Sequence, residues 1–271
     1  RKISAGTILA GASLAPIVPP SVLVIILGTL AEESIAKLLV AGILPGLFLA
    51  VIFTGFIIFR SHGFDQGTDI DQGDTSPFKD TMPLLFLIAL VLGAILTGIA
   101  TPTEAASVGV LGSLCVARLY KSLNIELLVE SIFESAKLGC MIILIMICAK
   151  FFSQLLAMSG IAGGLQSLLA MFSDSPYLLL FVVMIVPFLL CMLIDQIALL
   201  LIIVPLYKSL MDLMPVEPLV FWFLLLVNIT VGGITPPFGY TLFALKGATN
   251  LISMQDIYRS VLPFVMIYFC F

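Results

Sequence analysis

Two ionisable side chains stand inside apolar sequence, and their placement carries the chemistry this chain can do. Asp195 lies between Phe188-Leu189-Leu190 and Leu199-Leu200-Leu201. A carboxylate at the centre of a helix in lipid costs about 2.5–3.5 kcal/mol on insertion scales, so a group kept there is kept for function. With Gln196 it marks the tip or break between two short apolar halves, where a carboxylate can neutralise a bound cation. Lys150 follows Ile143-Leu144-Ile145-Met146 and has two open roles: its stem snorkels to an interface, or its ammonium pairs with Asp195 or an anionic substrate. Hydrolytic chemistry lacks its parts. A lone aspartate is not a protease dyad, and the single histidine, His62, sits in the most polar stretch with no partner for acid–base, triad or zinc work. Cys115, Cys140, Cys148, Cys191 and Cys270 stand singly in apolar runs without metal-ligand spacing. The chain is not expected to be an enzyme.

The main chain offers a second kind of ligand. Ile17-Val18-Pro19-Pro20 and Ile234-Thr235-Pro236-Pro237 each place a proline doublet in apolar sequence. A doublet removes two backbone donors and bars helix from the residue before it, leaving upstream carbonyls without partners. In lipid such backbone survives only where it is buried in protein or lines a wet cavity. Gly232-Gly233 and Gly239 flank the second doublet and are predicted to let the chain unwind and approach an ion closely. The surroundings repeat: Pro45 follows Pro20 by 25 positions and Pro263 follows Pro237 by 26. Paired Gly/Pro-interrupted segments in corresponding halves point to a secondary transporter's midplane site, with unwound carbonyls coordinating Na⁺. A kinked structural helix is the competing reading. At Thr101-Pro102-Thr103-Glu104 a mechanical explanation is preferred to an ion-binding Glu104: N-cap, N1 proline and N3 glutamate make a capping box.

The elements that position these groups follow from composition. The chain has 271 residues, 61% hydrophobic and 10% charged, with a mean hydropathy of +1.23, far more apolar surface than one core can hide. The bilayer is therefore its solvent. A net charge of −4 with no basic tract argues against a nucleic-acid or anionic-lipid partner. Charge-free stretches of spanning length run over 3–31, 38–59, 151–173, 175–194 and 218–245, with 82–100 nearly as long. The shorter runs 105–117, 138–149, 196–207 and 260–271 are expected to be half-helices or re-entrant hairpins. The basic pair Arg1-Lys2 precedes an apolar stretch too long for a signal peptide, and the chain is expected to start inside a longer polypeptide. A polar loop with Asp65, Asp69, Asp71, Asp74 and Asp80 resembles a calcium loop only in part and reads as a solvated linker between 1–60 and 82–271. Over 121–137, Glu126, Glu130 and Glu134 oppose Leu127, Leu128, Ile132 and Phe133, the pattern of an amphipathic helix in the interface plane.

Taken together, the run from Thr97 to Ala106, the Ile17-Val18-Pro19-Pro20-Ser21 and Gly233-Ile234-Thr235-Pro236-Pro237-Phe238-Gly239 breaks, and Ala41-Gly42-Ile43-Leu44-Pro45-Gly46 resemble the large membrane subunit of tripartite ATP-independent periplasmic (TRAP) transporters. The resemblance implies an all-α polytopic integral membrane protein of inverted-repeat, elevator type, with broken helices, re-entrant hairpins and a first repeat incomplete in this chain. On that pattern 1–60 holds the last broken helix of repeat one and a connecting helix, 61–81 the acidic loop, 82–137 arm helices with the interfacial helix, and 138–271 the second repeat. It implies a permease subunit in a bacterial inner membrane, using Na⁺ gradients to import an organic acid, of carboxylate or sulfonate type, from a periplasmic binding protein, beside a small membrane subunit, separate or fused. Another ion-coupled anion transporter of the same type, or a non-transporting scaffold, are the alternatives. Carried over by position, the Na⁺ site comprises Asp195 with Gly232, Gly233, Ile234 and Thr235, and Ala15 and Pro16 at the first break. The substrate side comprises Asp195, Gln196, Thr235, Pro236, Ser21 and Lys150.

Overall fold

The computed structural model describes residues 2–61, 77–160, 163–164, 167, 175–211, 214–237, 239–248 and 252–271. Among these lie eleven helices and no strand. They are α1 (Lys2–Leu14), α2 (Val22–Ala31), α3 (Ile35–Ser61), α4 (Pro77–Leu96), α5 (Pro102–Leu119), α6 (Ile125–Ser159), α7 (Pro176–Cys191), α8 (Gln196–Lys208), α9 (Pro218–Ile234), α10 (Tyr240–Ala248) and α11 (Met254–Cys270). Both proline doublets interrupt helix where expected, between α1 and α2 and between α9 and α10. Most of the acidic linker and part of the 151–173 stretch fall outside the described residues.

The chain divides into two units, residues 1–62 with 145–271, and residues 63–144. This differs from a division at the acidic linker, because the first three helices pack with the last five. Within that unit α9 is the hub, touching α1, α2, α3, α7, α8, α10 and α11. Gly42 of α3 explains part of this convergence: a side chain there would strike the Ile17 carbonyl at the end of α1 and meet Phe223 near the start of α9. The end of α1 thus lies close to the first turns of α9. Each also touches the other's continuation, α1 against α10 and α9 against α2. Leu9, Ile17, Leu49, Phe53, Ile234, Val261 and Phe264 form the shared core.

Among the described residues two helices, α3 and α6, are long and apolar enough to cross a membrane, and only 22% and 6% of their apolar windows are buried. Helix α6 departs from the expectation of an interfacial helix ending at 137 followed by a short run over 138–149: it continues unbroken from Ile125 to Ser159. No proline interrupts this stretch, and Gly139, with open space around it, is tolerated inside a helix.

In the unit 63–144, α4 and α5 form a hairpin. Gly109 packs on Val91, and Gly112 on Leu87 and Leu90. Gly98 turns the chain at φ +72°. The capping box forms as expected: Thr101 N–H donates to Glu104 Oε2 at 2.8 Å, and Glu104 N–H donates to Thr101 Oγ1 at 3.3 Å.

Gly42→Ala is expected to lower the melting temperature in detergent, since overpacking a tight contact costs about 1–3 kcal/mol. Gly55→Ala, which meets nothing within 4 Å, should leave it unchanged or raise it, a helical glycine being worse than alanine by about 0.5–1 kcal/mol. Equal effects at the two positions would refute the close approach.

Candidate functional site

The candidate site is built on a pair of short helices, α7 and α8, that pack on each other. Helices α7 and α8 have 16 and 13 residues, about 24 and 20 Å at 1.5 Å per residue, both short of the ~30 Å hydrocarbon core. Pro187 lies inside α7 and has no N–H to give the Val183 carbonyl four residues earlier. The Tyr207 hydroxyl of α8 donates to that oxygen at 2.6 Å, and Asn228 Nδ2 of α9 donates to the Met184 carbonyl at 2.7 Å. Two carbonyls of one helix are thereby partnered by two others.

Asp195 stands exposed at the hairpin tip as the N-cap of α8, its Oδ2 accepting from Ile197 N–H at 2.9 Å and Ala198 N–H at 3.4 Å. The short polar side chain opens the helix after Met192-Leu193-Ile194, which is why the apolar run divides there. Gln196 turns the other way, is 4% exposed, and donates to the Ile229 carbonyl of α9 at 3.3 Å. The buried Cys191 thiol donates to the same oxygen at 2.9 Å.

Gly232 and Gly233 do not unwind the chain, contrary to expectation. Helix α9 runs through Ile234, and helix resumes only at Tyr240. Their small size serves close packing instead. A Cβ on Gly232 would come within 2.8 Å of the Phe188 carbonyl of α7; one on Gly233 would come within 2.8 Å of Gln196 Nε2 and 3.1 Å of Tyr240. The glycine pair is thus the seat on which the hairpin tip rests. At Gly239 the expected close approach is real: a Cβ there would lie 2.8 Å from the Gly233 carbonyl oxygen and 3.1 Å from the Ile234 carbonyl carbon.

The carbonyls around the break are partly engaged. Gly232 O accepts from Thr235 N–H at 3.1 Å and Thr235 O from Gly239 N–H at 3.1 Å. Gly233 O accepts from the Thr241 hydroxyl at 2.7 Å, and Pro237 O from the Tyr258 hydroxyl at 2.6 Å. The Thr235 hydroxyl donates back to Val231 O at 2.6 Å. Each carbonyl oxygen has two lone pairs, so the segment keeps acceptor capacity. Oxygens of this kind suit a hard cation such as Na⁺. Among the described residues no group of three or more His, Cys, Asp or Glu gathers to hold a metal.

At the first break Ser21 closes the turn by itself. Its hydroxyl donates to Pro16 O at 2.7 Å and accepts from Val24 N–H at 3.3 Å, capping α2. Ala15 N–H donates to Ala12 O at 3.3 Å. Helix α2 packs on α8 and α9, but among the described residues no hydrogen bond joins Ala15, Pro16 or Ser21 to Asp195, Gln196, Thr235 or Pro236.

Lys150 is not at the hairpin tip. It is exposed on α6, and its charge acts on Glu32 in the turn after α2. Glu32 is paired with Lys208 in the last turn of α8 at 2.6 Å, about 20 Å along that helix from Asp195. Pairing of Lys150 with Asp195 is therefore not made. Tyr240, Thr241 and Tyr258, together with Asn228 and Tyr207, were not anticipated. Their signal was available as hydroxyls and an amide in otherwise apolar segments.

A family model described as Tripartite ATP-independent periplasmic transporter, DctM component, matches residues 1–271. The chain is 28% identical over 268 residues to the sialic acid TRAP transporter permease protein SiaT of Haemophilus influenzae, covering 97% of this chain and 43% of that protein. It is 29% identical to the 2,3-diketo-L-gulonate TRAP transporter large permease protein YiaN of Escherichia coli, covering 97% and 63%. It is 28% identical to the C4-dicarboxylate TRAP transporter large permease protein DctM of Pseudomonas aeruginosa, covering 100% and 64%. The chain thus spans about two-fifths to two-thirds of the length of these relatives.

Gly233→Ala should destabilise the protein by about 1–3 kcal/mol by pushing on Gln196, and Gln196→Ala should recover part of that loss in the double variant, read from thermal unfolding; strict additivity would show that the two do not touch. The Lys208 ammonium, hydrogen-bonded to Glu32 and attracting its charge, holds that carboxyl below its ordinary 4.5, with a smaller pull from Lys150. Because the folded value is lowered, the pair contributes fully above 4.5 and is lost as pH falls through the lowered value. A carboxyl ¹³C titration should place the Glu32 midpoint below 4.5, and Lys208→Met should move it up; an unmoved midpoint would contradict the assignment.

Proposed function

We propose that this chain, which belongs to the DctM component family of tripartite ATP-independent periplasmic transporters, forms the transport core of a multi-pass permease that imports an organic acid in symport with Na⁺. The observation that carries this reading is the hairpin tip, with Asp195 and Gln196, seated on Gly232 and Gly233 beside the break at Pro236-Pro237. One carboxylate among neutral oxygens in an apolar surround has the chemistry to select a monovalent hard cation.

In this reading Asp195 neutralises the ion, and main-chain oxygens of Gly232, Gly233, Ile234 and Thr235 complete its shell. The Gln196 amide and the segment at Thr235 and Pro236 face the substrate. Ala15, Pro16 and Ser21 supply the corresponding first-repeat break. Lys150 is left out, because its charge acts on Glu32 rather than at the tip. The substrate class is supported by the relatives' names, which carry sialic acid, 2,3-diketo-L-gulonate and C4-dicarboxylate, all carboxylates. The permease is proposed to sit in a bacterial inner membrane, to work with a small membrane subunit and a periplasmic binding protein, and to move substrate by an elevator-type displacement.

The test is uptake of a labelled organic acid into proteoliposomes holding the whole permease, its small subunit and the soluble binding protein. Replacing Na⁺ by choline should abolish uptake. Asp195→Ala should lower Na⁺-driven uptake by about tenfold or more, the equivalent of one charge-assisted contact. Uptake indifferent to both changes would overturn the proposal.

A further inference from the structure

Two arginines line one cleft at an end of the transport core. Arg60, in the last turn of α3, and Arg259, in the second turn of α11, border a cavity of about 260 Å³ whose floor is Phe56, Ile57, Pro263 and Phe264. Phe56 and Phe264 meet edge to face with ring centroids 5.3 Å apart. The two helices run antiparallel here, Phe48 pairing with Phe271 and Phe53 with Phe264, so the last turn of one meets the first turns of the other.

Among the described residues neither guanidinium makes an ion pair or hydrogen bond, while Asp256, one turn before Arg259, has a partner of its own. No basic tract in the sequence announces an anionic-lipid site, but the fold brings Arg60 and Arg259 together from distant positions, and two unpaired planar cations over an apolar floor ask for an anion with a hydrophobic tail. Their level agrees. Helix α3 is free of charge from Leu38 to Phe59, and the outward-facing Ile58 and Phe59 are 53% and 82% exposed. Arg60 therefore stands where the hydrocarbon ends and phosphates begin. Guanidinium groups bind phosphate oxygens bidentately, and basic pockets between membrane helices are suited to anionic headgroups.

We propose that Arg60 and Arg259 together bind the phosphate of an anionic phospholipid, whose acyl chain lies over Phe56, Ile57 and Phe264. The site is independent of the Na⁺ and substrate assignments.

The experiment is native mass spectrometry of the delipidated whole permease with phosphatidylglycerol or phosphatidylcholine added. The parent protein should retain phosphatidylglycerol in preference to phosphatidylcholine. R60Q/R259Q should lose about tenfold or more of that preference, each arginine near the surface contributing several-fold, while R60K/R259K keeps part of it. If the double glutamine variant does not fold, the single variants R60Q and R259Q should each show an intermediate loss. Absence of preference in the parent, or full retention by the glutamine variants, would overturn the proposal. So would displacement of the lipid by excess inorganic phosphate as effective as that by phosphatidylglycerol itself, which would make the cleft a soluble-anion site.

Discussion

In hydrocarbon, every main-chain oxygen that loses its helical donor must find another within the protein. The architecture around the candidate site is a set of answers to that demand. Pro187 orphans Val183, and Tyr207 of the hairpin's other arm answers it. The break after Ile17 is answered by Ser21 reaching back to Pro16. The break after Ile234 is answered by Thr241 at Gly233 and Tyr258 at Pro237. Tyr207, Asn228 and Tyr258 pin one element to another as they answer these oxygens, so there backbone irregularity and tertiary fixation are the same event.

The two breaks are closed unequally, and the difference bears on function. Ser21 is local: it caps its own helix and ties the turn it sits on. Position 239, where the chain re-enters helix, is glycine, and the stabilising hydroxyls come from α10 and α11. Displacing either helix changes the second break directly. Gln196 and Cys191 converge on Ile229 one turn before the glycine pair, which couples the hairpin tip to the same segment. Ligand bound between Asp195 and the break would therefore be felt by α7, α8, α9 and α10 together.

Much of this was legible in the residues. Proline doublets announced both breaks, Asp195 announced the hairpin tip, and the Thr101–Glu104 spacing announced its capping box, because each acts through local stereochemistry. What was not legible depends on neighbours distant in sequence. Gly232 and Gly233 read as hinges but are packing surfaces, since only the fold reveals Phe188 and Gln196 against them. Lys150 read as a possible partner of Asp195, yet which end of α8 it approaches is a tertiary fact. The interfacial helix over 121–137 merged with the run after it, because charge pattern marks where a helix is polar and not where it stops.

We propose that the Asp195 carboxylate and the main-chain oxygens at the Pro236-Pro237 break bind Na⁺. Isothermal titration of the purified whole permease with NaCl, at constant ionic strength in choline chloride, measures that directly. Saturable heat for Na⁺, absent for K⁺ and weakened about tenfold by Gly239→Ala, which crowds the Gly233 carbonyl, is the expected result. Equal heats for Na⁺ and K⁺, or binding untouched by that substitution, would contradict it.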